Sequence, residues 1–188
     1  RLSFVGELGW ELYIPINNSQ KIFNRIEALG KKYDLCYSGM HTLDMLRLEK
    51  KFLHWGHDIT SENNPIEAGL RFAINLKKSY AFIGRQSIEK IILQPLKKKL
   101  ELFSLKNCKD PGKPLLMHDE PIFFKNKIIG YSTSSNYSFK YKKNIFLAYV
   151  ETDPNIIRKL TIEIEGKKYE LTHEPECLHD PKGKNLRN

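Results

Sequence analysis

Gln94-Pro95-Leu96-Lys97-Lys98-Lys99 is where the hydrophobic period of this chain changes. Downstream the pattern is strand-like: Leu100, Leu102 and Leu105 lead a first run. Pro121-Ile122-Phe123-Phe124 follows, then a Lys125-Asn126 turn and Ile128-Ile129-Gly130. Ile145-Phe146-Leu147-Ala148-Tyr149-Val150 has the continuous apolar character of a buried strand. Leu160-Thr161-Ile162-Glu163-Ile164, a Glu165-Gly166 turn and Tyr169-Glu170-Leu171 form a hairpin pattern. Short strands at this spacing predict a small antiparallel barrel or sandwich.

Upstream of the break the period is helical. Ile22, Phe23, Ile26 and Leu29 recur at helix spacing, with Ser19 as a cap and Gly30 as a stop. A second helix is expected from about His41 to Lys51, with Leu43, Met45 and Leu46 toward a core. Asn64-Pro65-Ile66-Glu67 reads as an N-cap, a first-turn proline and a capping-box glutamate. Ala68, Leu70, Phe72 and Ala73 then follow as buried candidates. Residues 83–92 make another short helix. Residues 2–6 and 11–14, around Gly6 and Gly9, read as strand, turn, strand. The architecture is therefore α+β, with a mixed module over 1–95, a β module over 96–180 and a frayed tail over 181–188, the loosening beginning near Leu178.

Bulk properties narrow the function. The chain has 188 residues, 40% hydrophobic and 28% charged, which suits a folded globular protein. No apolar run reaches the roughly 18–20 residues of a membrane span, and no membrane partner is expected. Three distant cysteines without a C-x-x-C pair give neither a disulfide framework nor a zinc site, and suit a reduced, cytoplasm-like compartment. The net charge is +9, but 24 of the 31 basic residues are Lys, whereas phosphate readers favour the Arg fork. Nucleic acid is not an expected partner. No metal site is expected either: His54 and His57 sit three apart around Trp55-Gly56, without zinc-ligand spacing. Neither G-x-G-x-x-G nor G-K-[ST] occurs, so no FAD or ATP motif is present.

Six segments in register resemble the glycine-cleavage T-protein (aminomethyltransferase) family. They are Gly6-Glu7-Leu8-Gly9-Trp10-Glu11-Leu12, Leu46-Arg47-Leu48-Glu49-Lys50, Trp55-Gly56-His57-Asp58-Ile59, Asn64 through Leu70, Phe82-Ile83-Gly84-Arg85, and Gly130-Tyr131-Ser132-Thr133-Ser134 with Leu147-Ala148-Tyr149-Val150. Within that family, the Gly-Trp-Glu-Leu, Leu-Arg-Leu-Glu-Lys and Trp-Gly segments look most like dimethylglycine and sarcosine dehydrogenases. The resemblance implies the later part of a folate-binding aminomethyltransferase-type domain, followed by that family's C-terminal barrel. It implies tetrahydrofolate as cofactor and FAD only in a separate N-terminal domain, which would be the chain's partner. There the flavin oxidises an N-methyl amine to an iminium, and the folate domain passes the one-carbon unit to tetrahydrofolate. The compartment implied is the mitochondrial matrix in a eukaryote.

The resemblance also names residues. Alone, Glu11 reads as a solvated strand carboxylate; by resemblance it holds the pterin, whose 2-amino group and ring N–H a carboxylate can accept together. Phe4 stands at the family tyrosine, keeping a stacking face and losing a hydroxyl. Trp55 reads equally as folate-pocket wall or as core. Glu7 reads as a turn carboxylate, Arg47 as a helix-surface or ion-paired cation, and Glu49 as a partner of Arg47 or a neighbour. Leu43 stands where the T-protein branch carries a folate-contacting arginine, which the dehydrogenase branch also tends to lack. The family's catalytic aspartate falls upstream of Arg1, so no catalytic residue is named here and the chain by itself is expected to be inactive. The alternatives are a stand-alone aminomethyltransferase and a non-catalytic regulatory or RNA-linked relative.

Overall fold

The computed structural model describes residues 3–186. Six antiparallel strands close a barrel in the order β1-β4-β3-β2-β5-β6. They are β1 (Lys98–Leu105), β2 (Pro121–Phe124), β3 (Lys127–Ser138), β4 (Lys143–Glu151), β5 (Leu160–Ile164) and β6 (Lys167–Glu174). Each expected run forms its strand, and of the barrel and sandwich alternatives it is the barrel that occurs. The β5–β6 hairpin turns on Glu165 and Gly166, both at positive φ, the conformation that matches the twist of two-residue hairpins. Leu160, Ile162 and Ile164 alternate into the interior, as the strand period requires. Closure pairs every strand on both sides and leaves no open edge.

The lumen is filled. Phe103, Ile122, Phe146, Ala148, Leu160, Ile162 and their neighbours pack there. Strands β1 and β4 are buried on both faces, because their alternate residues Leu100, Leu102, Ile145, Leu147 and Tyr149 form a second cluster outside the barrel. Leu48 of helix α2 (Met40–Glu49) packs into that cluster. Helix α2 is thus seated on the barrel wall.

Several local expectations change upstream. Helix α1 spans Ile16–Gly30 and begins before the expected cap; Ser19 lies inside its first turn and donates to the Ile16 carbonyl at 2.7 Å. Pro15 is the reason: its φ is preset and it has no N–H to leave unpaired. In α2 the buried residues are Arg47, Leu48 and Glu49, while Leu43, Met45 and Leu46 are only half-buried. Only the last turn of that helix meets the barrel squarely. Asn64 does cap, accepting the N–H groups of Ile66 and Glu67 at 3.0 and 2.9 Å. The helix after it lasts one turn, because the backbone goes left-handed at Gly69 (φ 74°). Ala68 is buried, yet Phe72 and Ala73 are exposed. That turn is tied to the barrel instead, through the Glu67 carbonyl and the Leu100 N–H at 2.9 Å.

Helix α3 (Arg85–Ile92) starts after Gly84, leaving Ile83 fully exposed. Residues 3–15 form no strand; a strand exists only beside a partner that takes its backbone groups, and none of the described strands lies along this segment. Residue 2 lies outside the described residues. At the other end Leu178 packs against the outer cluster and His179 is buried, so loosening does not begin at Leu178.

At Gly130 the backbones of β3 and β4 approach closely: a Cβ there would land on the Tyr149 carbonyl oxygen of β4. We expect Gly130→Ala to lower stability by about 3 kcal/mol, because backbone rather than a flexible side chain must move. Urea unfolding of the parent and variant measures it, and a loss below about 0.5 kcal/mol would contradict the close packing of β3 on β4.

Candidate functional site

Where the first turn of α2 leaves the barrel wall, a groove of about 780 Å³ opens. Its walls come from Met40, Leu43 and Asp44 of α2, from Phe4 and the 54–57 loop, from residues 133–137 of β3, and from the 114–118 loop. The volume lies in the range of small-molecule sites, and the wall is apolar with a few polar groups, the usual composition of such sites. Phe4 meets His54 edge-on, with ring centroids 6.4 Å apart. His54 and His57 lie 4.6 Å apart at 31°. Three rings gathered at one end offer a flat heteroaromatic guest both edges and faces.

Beneath these rings sits a buried guanidinium. Arg47 is 1% exposed, and each of its three guanidinium nitrogens donates to an acceptor. Asp44 Oδ1 lies 2.7 Å from both Nε and Nη2. Nη1 donates to the Asp58 carboxylate and, at 3.2 Å, to the Phe52 carbonyl, while Nη2 donates to Ser134 Oγ at 2.8 Å. Asp58 is also buried, and accepts the His54 N–H at 2.8 Å and the Thr133 hydroxyl at 2.6 Å. Three segments therefore converge on one ion pair: α2, the 54–58 loop and β3. The loop is closed on itself by Asp58 N–H to the His54 carbonyl at 2.9 Å. That closure turns His54 and His57 to the groove and Trp55 away from it.

The three residues named by resemblance are separated. Phe4 is on the groove wall, and it also borders a second groove of about 680 Å³ lined by Phe52, Leu53, Ile59 and Leu70. Trp55 is 66% exposed and off both walls. Glu11 is exposed on irregular chain and accepts the Tyr13 hydroxyl at 2.8 Å, which, with its charge, pushes the Tyr13 hydroxyl up. Glu49 pairs not with Arg47 but with Ser138, whose hydroxyl donates to it at 2.6 Å. Glu7 pairs with His179. The sequence reading overlooked Asp44, His54, His57 and Asp58 as a set. The one signal for it was an aspartate three residues before Arg47 on the same helix, the spacing at which side chains meet.

Among the described residues no group of three or more His, Cys, Asp or Glu could hold a metal. No described helix is long and apolar enough to cross a membrane.

The GCVT N-terminal domain profile matches residues 1–78, and the glycine cleavage T-protein C-terminal barrel domain profile matches residues 98–180. This chain belongs to the glycine-cleavage T-protein family. As a T-protein relative it is 35% identical over 184 residues to mouse (Mus musculus) mitochondrial dimethylglycine dehydrogenase, covering 96% of this chain and 21% of that protein. Human (Homo sapiens) mitochondrial sarcosine dehydrogenase is 33% identical over 155 residues, covering 82% of this chain and 16% of that protein. The chain thus spans about a fifth of the curated relatives it matches. The solved aminomethyltransferase T of the Bartonella henselae glycine cleavage system superposes with a TM-score of 0.75 at 20% identity, over 93% of this chain and 46% of that one. This likeness shows the shared aminomethyltransferase-like fold.

The Arg47–Asp58 pair has a measurable signature. Asp58→Ala leaves a guanidinium buried without its main counter-charge and is expected to cost about 3–5 kcal/mol. Asp44→Ala, at a carboxylate 36% exposed, should cost about 1 kcal/mol or less. Equal losses in urea unfolding would show that Asp58 does not anchor the T-protein fold as described.

Proposed function

We propose that this chain is the tetrahydrofolate-binding portion of a flavin-dependent N-methyl amine dehydrogenase of the dimethylglycine or sarcosine type. In that protein a separate FAD domain oxidises the amine to an iminium. The T-protein module receives the one-carbon unit and joins it to tetrahydrofolate, giving 5,10-methylenetetrahydrofolate. The observation that carries this reading is the 35% identity to dimethylglycine dehydrogenase running through 96% of the chain. The groove supports it: its volume suits a pterin-sized guest, and Phe4, His54 and His57 supply the ring surfaces a flat heterocycle stacks on. In a eukaryotic source the mitochondrial matrix is the proposed compartment, by the same relatives.

Two residues divide the proposal. Phe4 rests on geometry and resemblance together, Glu11 on resemblance alone. Calorimetric titration of the full-length protein with tetrahydrofolate separates them. Phe4→Ala should weaken binding, and Phe4→Tyr should be nearly neutral, because the stacking face survives. Glu11→Gln should weaken binding about ten- to a thousand-fold, the loss of one or two charge-assisted hydrogen bonds at about 1.4 kcal/mol per decade. An unchanged dissociation constant for Glu11→Gln would return Glu11 to the solvated surface. A parent protein that binds no folate would sink the reading itself.

A further inference from the structure

Past β6, residues 177–185 form neither helix nor strand, yet they are bonded to the end of α2 and to the loop that carries Phe4. The His179 N–H donates to the Glu49 carbonyl at 3.0 Å, and the Lys50 ammonium pairs with the Asp180 carboxylate at 3.1 Å and bonds its carbonyl. Burial acts to raise the Asp180 carboxyl, but the Lys184 N–H, the Lys50 ammonium and the Asn185 N–H outweigh it and hold the group low. His179 is buried, and its imidazole works on both sides. Lys140 lies 3.0 Å from Nδ1, and because an ammonium can only donate, Nε2 carries the hydrogen that bonds Glu7.

Glu7 leads directly to the groove. Next to it is Gly6, buried at φ 81°, where an added Cβ would lie 3.0 Å from the Lys50 side chain and 3.3 Å from the His179 ring. So loop, helix end and C-terminal segment are packed to contact at one point. Two residues further back, Phe4 forms the groove wall.

We propose that residues 177–185 are a strap that positions Phe4 on the groove wall, with His179 as the positioning residue; only the identity of the ligand rests on the folate reading. His179 touches no part of the groove itself and acts through Glu7 and the backbone of the 4–7 loop.

The test uses the full-length protein. Hydrogen exchange read by peptide should be about ten-fold or more faster over residues 3–8 in His179→Ala, with β1 and β4 unchanged. Tetrahydrofolate affinity by calorimetry should weaken about ten-fold, the scale of one hydrogen bond to a charged group. His179→Gln, whose amide can still donate to Glu7 and accept from Lys140, should recover most of both. In a Phe4→Ala background, His179→Ala should cost no further affinity, since the side chain it positions is gone. Should His179→Ala fail to fold, Glu7→Gln reaches the same contact from its exposed side and is expected to speed exchange over 3–8 in the same way. Unchanged exchange over 3–8, or losses at positions 4 and 179 that simply add, would overturn the strap. A parent that binds no folate overturns the proposed function, while the exchange measurement still decides the strap.

Discussion

A guanidinium shut away from water must place all five N–H groups on acceptors or the folded state bears the full cost of desolvating it. Arg47 comes close to that, donating four hydrogen bonds, only when Asp44, Phe52, Asp58 and Ser134 stand where they do, and these come from three separate stretches of chain. Apolar packing of Leu48 on the outer cluster would tolerate sliding or rotation of α2 over the barrel. The ion pair does not. It admits one seating of the helix, and with it one conformation of the 54–58 loop and one arrangement of the rings at the groove.

The β half was far more legible in sequence than the helical half, for physical reasons. Barrel strands carry their instructions locally: alternation in Leu160-Thr161-Ile162-Glu163-Ile164, and a turn pair at Glu165-Gly166. What the pattern cannot carry is partner order. Nothing in β1 says that it closes against both β4 and β6, since that depends on crossovers and tilt. In the helical half, tertiary demands override local ones. Asn64 caps as its chemistry dictates, but the turn it starts ends at Gly69 and gives its Glu67 carbonyl to β1 rather than to a longer helix.

Of the three residues named by resemblance, the groove wall includes Phe4 and neither Glu11 nor Trp55. Phe4 came from its place in a motif, and the fold puts it on the wall. The rest was hidden because charged residues are assigned to the surface by default. Arg47 and Asp58 are buried only because they find each other, a relation that no window of sequence around either one displays. In sequence His54 and His57 show only the absence of metal-ligand spacing. Their adjacency instead makes a ring pair, held by an aspartate that serves as loop clamp and counter-charge at once.

Strands β1 and β4 belong to two cores at once, one inside the barrel and one beneath α2. That sharing sets the order in which the chain can be assembled. Leu48 emerges from the ribosome well before Leu147, so the helix is made first and its seat last. Ser134 and Ser138 of β3 can already meet α2, but until β4 has emerged and paired with β1 the apolar seat of Leu48 is incomplete and that side of the helix stays open to other chains. Synthesis runs from the helices to the barrel, while consolidation must run from the barrel back to the helices.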